Sequence, residues 1–150
     1  FDRDKQIAVF EQQLILANRL NKPVVIHSRD ATKDVLDLLK KHRPKGVMHC
    51  FSGSVETARE VLDLGLYISF TGALTFKNAK KAVAACEAIP AERLMLETDS
   101  PYMAPHPFRG NRCDSSFIRI TAEKMAEIKG LDTDEMVRIS NENAAALFGI

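Results

Sequence analysis

Four short apolar runs, each closing on a polar group and each separated from the next by helical periodicity, constrain this chain more than any other feature. The runs are "PVVIHSRDA" from Pro23, "GVMHCFSGS" from Gly46, "LYISFTG" from Leu66 and "LMLETDSPYMAP" from Leu94. Each is short, β-branched or apolar, and bounded by Gly, Pro or Asn, which is the pattern of a buried strand. Between them the apolar residues recur at three- and four-residue intervals. Ile7, Phe10, Leu14, Ala17 and Leu20 predict a helix from about Lys5 to Leu20. Val35, Leu36 and Leu39 predict one from Ala31 to His42, and others fall over Val55 to Leu64 and Asn78 to Ala88. Strand alternating with helix through short linkers predicts an α/β fold of parallel βα units. After Pro105 the rhythm changes to a polar loop, "HPFRGNRCDSS", and two helices, about Ser116 to Lys129 and Thr133 to Phe148.

With 150 residues, 45% apolar and 27% charged, the chain has the material for one globular domain. No apolar stretch approaches the roughly 20 residues that span a bilayer, so no membrane partner is expected and the location expected is cytoplasmic. A net charge of +1 offers no long-range pull on phosphate, so a nucleic acid would have to be held locally, by a metal or a few arginines. The cysteines, Cys50, Cys86 and Cys113, are odd in number and lack CxxC spacing, which argues against a disulfide framework. The chain opens at Phe1 rather than Met, directly before a helical pattern, and is expected to be part of a longer protein.

Alternate side chains of a strand face opposite ways, so Val25 shares a side with His27, Val47 with His49, and Met95 with Glu97 and Asp99. If the sheet curves, three strands bring their polar ends to one rim: His27, His49 and Asp99, with Glu97 one layer below. Imidazole plus carboxylate is a donor set for a divalent ion. Ser52, Gly53 and Ser54 precede a helix, where free amides favour an anion, although Ser54 and Glu56 read equally as cap and first-turn acid. Arg29, and Arg109 and Arg112 in the long loop, have the planar fork that suits phosphate. Read locally, a single histidine is a core residue, Asp99 a turn-former before Pro101, and Arg29 a solvated helix start. Cys50 reads as a small core residue, His106 as a weak extra ligand and His42 as a surface residue at a helix end.

Taken together, "PVVIHSRDA", "GVMHCFSGS", "YISFTG", "LMLETDSPYMAP" and "RGNR" resemble the TatD-type family of metal-dependent deoxyribonucleases, a branch of the amidohydrolase-like barrels. The resemblance runs from "DRDKQIAVFEQQLILA" to "NENAAALFGI". It implies a TIM-type barrel that hydrolyses DNA phosphodiesters with a divalent ion (Mg, Mn or Zn). His27, His49 and Asp99 are then metal ligands, Asp99 also helping to activate water. Glu97 is an acid beside the site; Arg29, Ser52, Arg109 and Arg112 are the substrate contacts expected from their own chemistry. The family's first-strand His-x-His pair and mid-barrel glutamate have no counterpart before His27, so residues 1–150 are expected to be the C-terminal half of the barrel. Such a half should leave two sheet edges open and an apolar face at Val25, Val47 and Met95, to be covered by a second copy or by the missing N-terminal half. Two other readings stand beside the nuclease: hydrolysis of a C–N or ester bond on the same metal, and a catalytically inactive half-barrel serving as scaffold or homodimer.

Overall fold

The computed structural model describes residues 2–150. Six helices, α1 (Arg3–Arg19), α2 (Thr32–His42), α3 (Val55–Asp63), α4 (Lys80–Ala88), α5 (Ile118–Lys129) and α6 (Thr133–Phe148), accompany four strands. These are β1 (Val24–Ile26), β2 (Gly46–Met48), β3 (Tyr67–Phe70) and β4 (Leu94–Leu96), all parallel and in spatial order β1-β2-β3-β4. Sequential neighbours in a parallel sheet require a crossover at every step, which α2, α3 and α4 supply.

The predicted elements are all present, with ends displaced by one or two residues. Several starts have a local cause. Helix α1 starts earlier because the Asp2 carboxylate accepts the Lys5 amide at 3.1 Å. Helix α3 starts at Val55 because Ser54 caps it, its hydroxyl accepting the Thr57 amide. Gly46 opens β2 because a Cβ there would lie 2.4 Å from the carbonyl oxygen of Val24 on the neighbouring strand.

One face of the sheet, with Ile26, Met48, Ile68, Phe70 and Leu94, packs beneath the helices on Leu14, Leu39, Val61, Met125 and Met136. Burying each such side chain contributes roughly 1.5–3 kcal/mol, so this layer dominates stability. The opposite face corrects an expectation. Val25 is 60% exposed, but Val47 and Met95 are only 4% exposed. The apolar face is open at its β1 margin, not throughout.

The two edges also differ. Along β4 the outward backbone groups are taken by side chains of α6: Ser140 Oγ accepts the Leu96 amide at 2.9 Å, and Asn143 donates to the carbonyls of Leu94 and Ala91 at 2.8 and 2.9 Å. The outward amide of Leu96 and carbonyl of Leu94 are thus satisfied within the chain, so this edge is closed, contrary to the expectation of two open edges. Along β1, Val24 and Ile26 bond to the β2 segment through Lys45 O and the His49 amide, which turns the backbone of Val25 outward. The same margin carries an exposed apolar stripe on α1, Val9, Leu16 and Leu20, opposite its packed residues Ile7, Phe10 and Leu14. Among the described residues, no helix is long and apolar enough to cross a membrane.

Candidate metal centre

The polar ends named from the sequence lie just past their strands, His27 after β1, His49 after β2, and Glu97 and Asp99 after β4. Glu97 still belongs to the ladder, its amide donating to Phe70 O at 3.3 Å. That fixes its backbone, and three groups fix its side chain. Oε1 accepts the Ser69 hydroxyl and the Cys50 amide, each at 2.6 Å, while Oε2 accepts from Nδ1 of His49. The sequence reading singled out neither Ser69 nor the Cys50 amide. Ser69 was within reach, since the two-residue period of β3 places this polar group on the face opposite the core.

A carboxylate only accepts, so the His49 Nδ1 carries a proton, and in the neutral ring Nε2 then presents its lone pair. That lone pair lies 3.2 Å from Oδ1 of Asp99. Two acceptors at this distance repel unless a proton or a cation joins them. Ligand bonds of about 2.0–2.2 Å, meeting at octahedral or tetrahedral angles, separate two donors by about 2.8–3.6 Å. The His49–Asp99 pair therefore fits a shared divalent ion without rearrangement.

His27 is less committed. Its ring is exposed, makes no side-chain hydrogen bond among the described residues and lies 6.0 Å from the His49 ring between centroids. Among the described residues, no group of three or more His, Cys, Asp and Glu side chains is gathered tightly enough to hold a metal. The expected trio is thus assembled as a pair plus a neighbour. The reason is spacing: β1 and β4 are the outer strands of a four-stranded sheet, roughly 14 Å apart at about 4.8 Å per step.

A cleft of about 940 Å³ opens over these residues, lined by His27, Arg29, His49, Ser52 and Asp99 among others. Three non-glycine residues on its wall, Asp30, Cys50 and Met103, have left-handed backbones with φ of 54°, 48° and 61°. Such conformations cost energy and gather where a loop is shaped by function. Arg109 reaches the cleft indirectly, its guanidinium 4.3 Å from the Phe76 ring that lines it. Arg112 is exposed in the same loop and does not line the cleft. Glu97 lies beneath the lining, its side chain 18% exposed.

Several minor readings change. Cys50 lies on a turn beyond β2, its sulfur 3.3 Å from the Thr71 hydroxyl, and burial pushes its thiol pKa up, which argues against a nucleophile. His42 is not simply at the surface: its Nε2 lies 2.7 Å from Glu11, and its side chain is 15% exposed. His106 is exposed and away from the cleft lining, its amide donating to Thr75.

Known proteins share this chain's sequence and fold along almost all of its length. The family profile described as TatD related DNase matches residues 2–149. YabD of Bacillus subtilis, an uncharacterized metal-dependent hydrolase, is 46% identical over 99% of this chain and 59% of its own length. YcfH of Escherichia coli K12, described in the same words, is 42% identical over 97% of this chain and 56% of its own. The crystal structure of YJJV, a TatD homolog from E. coli K12, superposes with a TM-score of 0.91 at 30% identity, covering all of this chain and 60% of that one. A hydrolase TatD family protein from Entamoeba histolytica gives 0.86 at 25% identity, covering 98% of this chain and 57% of that one. The chain thus spans a little under three fifths of the length of these relatives.

Proposed function

The chain belongs to the family of TatD related DNases, and on that premise we propose that it carries the C-terminal part of a divalent-metal centre that hydrolyses DNA phosphodiester bonds. The observation that carries this reading is the 3.2 Å approach of His49 Nε2 to Asp99 Oδ1, with the far side of the imidazole anchored on Glu97. His49 and Asp99 would hold the ion, and His27, free of other side-chain bonds among the described residues, would turn in from the neighbouring strand. A bound divalent ion would supply water acidified toward neutrality and positive charge against the phosphoryl oxygens.

The chain's own residues do the rest. Glu97 holds the His49 ring in the tautomer whose Nε2 is free, and Ser69 and the Cys50 amide keep Glu97 from turning away. Asp99, more exposed than either at 40%, is placed to orient or deprotonate an attacking water. Arg29 and Ser52 on the cleft wall dock phosphate oxygens. The remaining ligands of a complete site would come from the part of the barrel that this chain does not contain.

The open β1 margin supports a second proposal, about partners. Val25 and the Val9, Leu16 and Leu20 stripe form the surface onto which the remainder of the barrel, or a second copy, would pack. For the chain alone, the inactive-scaffold reading rests on this same margin.

The test is release of nucleotides from a labelled DNA oligonucleotide in magnesium or manganese, by the longer protein and by this chain, with Asp99→Asn as control. Metal-dependent cleavage lost in Asp99→Asn supports the reading. Equal rates in both proteins remove Asp99 from the chemistry. Turnover of amide or lactone substrates with none on DNA would move the activity to a C–N or ester bond.

A further inference from the structure

The β3–α4 segment, "TFKNAKK" from Thr75 to Lys81, contributes nothing to the metal centre, yet Phe76, Asn78, Lys80 and Lys81 line the same cleft as His49 and Asp99. Lys33, Lys40, Lys41 and Lys124 each pair with a carboxylate within 4 Å, and Lys129 donates to three carbonyls at the end of α4. Lys80 and Lys81 are exposed and, among the described residues, pair with no carboxylate. Among the described residues Lys5, Lys22, Lys45 and Lys77 also pair with no carboxylate, but none of those four lines this cleft, whereas Lys80 and Lys81 do. Two ammonium groups at the margin of a cleft, with no internal partner, are poised for an external anion.

Phe76 adds a second chemistry. Its ring lines the cleft and carries the Arg109 guanidinium 4.3 Å from its centroid. An aromatic ring backed by a planar cation is the platform on which a flat heterocycle stacks. Simple anion attraction has no use for it.

We propose that Phe76, Asn78, Lys80 and Lys81, with Arg109 behind the ring, form a subsite for the nucleotide adjoining the scissile phosphate. The lysines take its phosphate and the Phe76–Arg109 stack takes its base. The assignment rests on the nucleic-acid reading above but uses none of the metal ligands, so the two can fail separately.

The experiment is fluorescence anisotropy of this chain with a 5′-fluorescein five-nucleotide single-stranded DNA, without divalent ions, from 50 to 200 mM KCl. The K80A/K81A double variant is expected to bind about tenfold more weakly at 50 mM KCl. Its plot of log affinity against log salt should be shallower by about 0.7, for the one phosphate that the lysines no longer neutralise. F76L is expected to weaken binding by about 5- to 100-fold while leaving that slope unchanged, because stacking releases no counterions. Circular dichroism and thermal melting check that the variants fold, and the lysines, being exposed, should not alter either. The same salt slope in the double variant as in the parent chain overturns the subsite, as does failure of the parent chain to bind the oligonucleotide. A linear polyphosphate of equal charge bound as tightly, with no effect of F76L, would reduce the segment to anion attraction and overturn the nucleotide assignment. Binding that behaves as expected, alongside hydrolysis indifferent to Asp99→Asn, would sink the metal-centre reading and leave the subsite standing.

Discussion

The Nε2 atom of His49 lies 3.2 Å from Oδ1 of Asp99, so two groups able to ligate a metal face one space. A cation held by both gains two bonds that the unfolded chain cannot offer together, so metal should stabilise the fold itself. At a manganese concentration 100 times its dissociation constant the gain is about 2.7 kcal/mol, visible as a rise in melting temperature. Asp99→Asn should abolish most of that rise while leaving the metal-free melt nearly unchanged, since Asp99 is partly exposed. A rise of the same size in the variant would place the ion elsewhere.

Glu97 acts through His49 rather than on the ion itself. Glu97→Gln keeps the shape and the acceptor for Ser69 or Cys50, but an amide nitrogen facing Nδ1 would favour the tautomer that protonates Nε2. Manganese affinity measured by calorimetry should fall about 10- to 100-fold. Nitrogen NMR of the His49 ring should show the proton shifting from Nδ1 toward Nε2. An unchanged tautomer would mean that Glu97 does not set it.

The closed β4 edge gives a stability prediction. Asn143, 8% exposed, donates to the carbonyls of Ala91 and Leu94 from a single amide nitrogen. Asn143→Ala should cost about 1–3 kcal/mol, since a shielded edge then lacks its side-chain donor. Urea unfolding would show a lower midpoint at an unchanged slope. A midpoint within a few tenths of a kcal/mol of the parent would mean that water satisfies the edge.

Thiol chemistry should separate the three cysteines by burial. Desolvation pushes the Cys86 thiol from the ordinary 9.0 up to about 12. The folded form therefore holds this proton when the unfolded form has lost it. The stability this contributes is complete below pH 9 and is lost as pH rises from 9 toward 12. Chemical unfolding at pH 8 and pH 10.5 should show the fall, and Cys86→Ala should remove part of it. At pH 8, a thiol reagent should modify half-buried Cys50 before Cys86 and Cys113. Early labelling of Cys86 in the native protein would contradict the assignment.

How far the sequence could be read follows from what each feature depends on. Strand and helix positions were legible because periodicity and caps are local: Pro23, Ser54 and the helical spacing of Val35, Leu36 and Leu39 carry them within a few residues. The faces of the strands were legible too, which is why His49, Glu97 and Asp99 could be grouped. What periodicity cannot supply is distance across a sheet. It gave His27 the same standing as His49, though their strands place them differently toward Asp99. Nor could it show that Ser140 and Asn143, on a helix more than 40 residues downstream of β4, would close that edge. Polar residues on a helix read as solvated until the partner backbone is known.

Gly72 ties the sheet to the rim loop, and its lack of a side chain is a packing requirement. A Cβ there would lie 2.4 Å from the carbonyl oxygen of Met103 and 2.8 Å from the nitrogen of Pro105, backbone atoms that cannot rotate aside. Gly72→Ala must therefore push the 103–105 segment off the end of β3. Met103 lines the cleft and lies four residues past Asp99, so the displacement reaches the proposed metal pair. Overpacking of this kind costs about 1–3 kcal/mol. The expected result is a lower melting temperature together with weaker manganese binding, although Gly72 itself offers no ligand. Loss of stability with metal affinity intact would show that the loop moves without carrying Asp99, and that β4 alone holds the carboxylate in place.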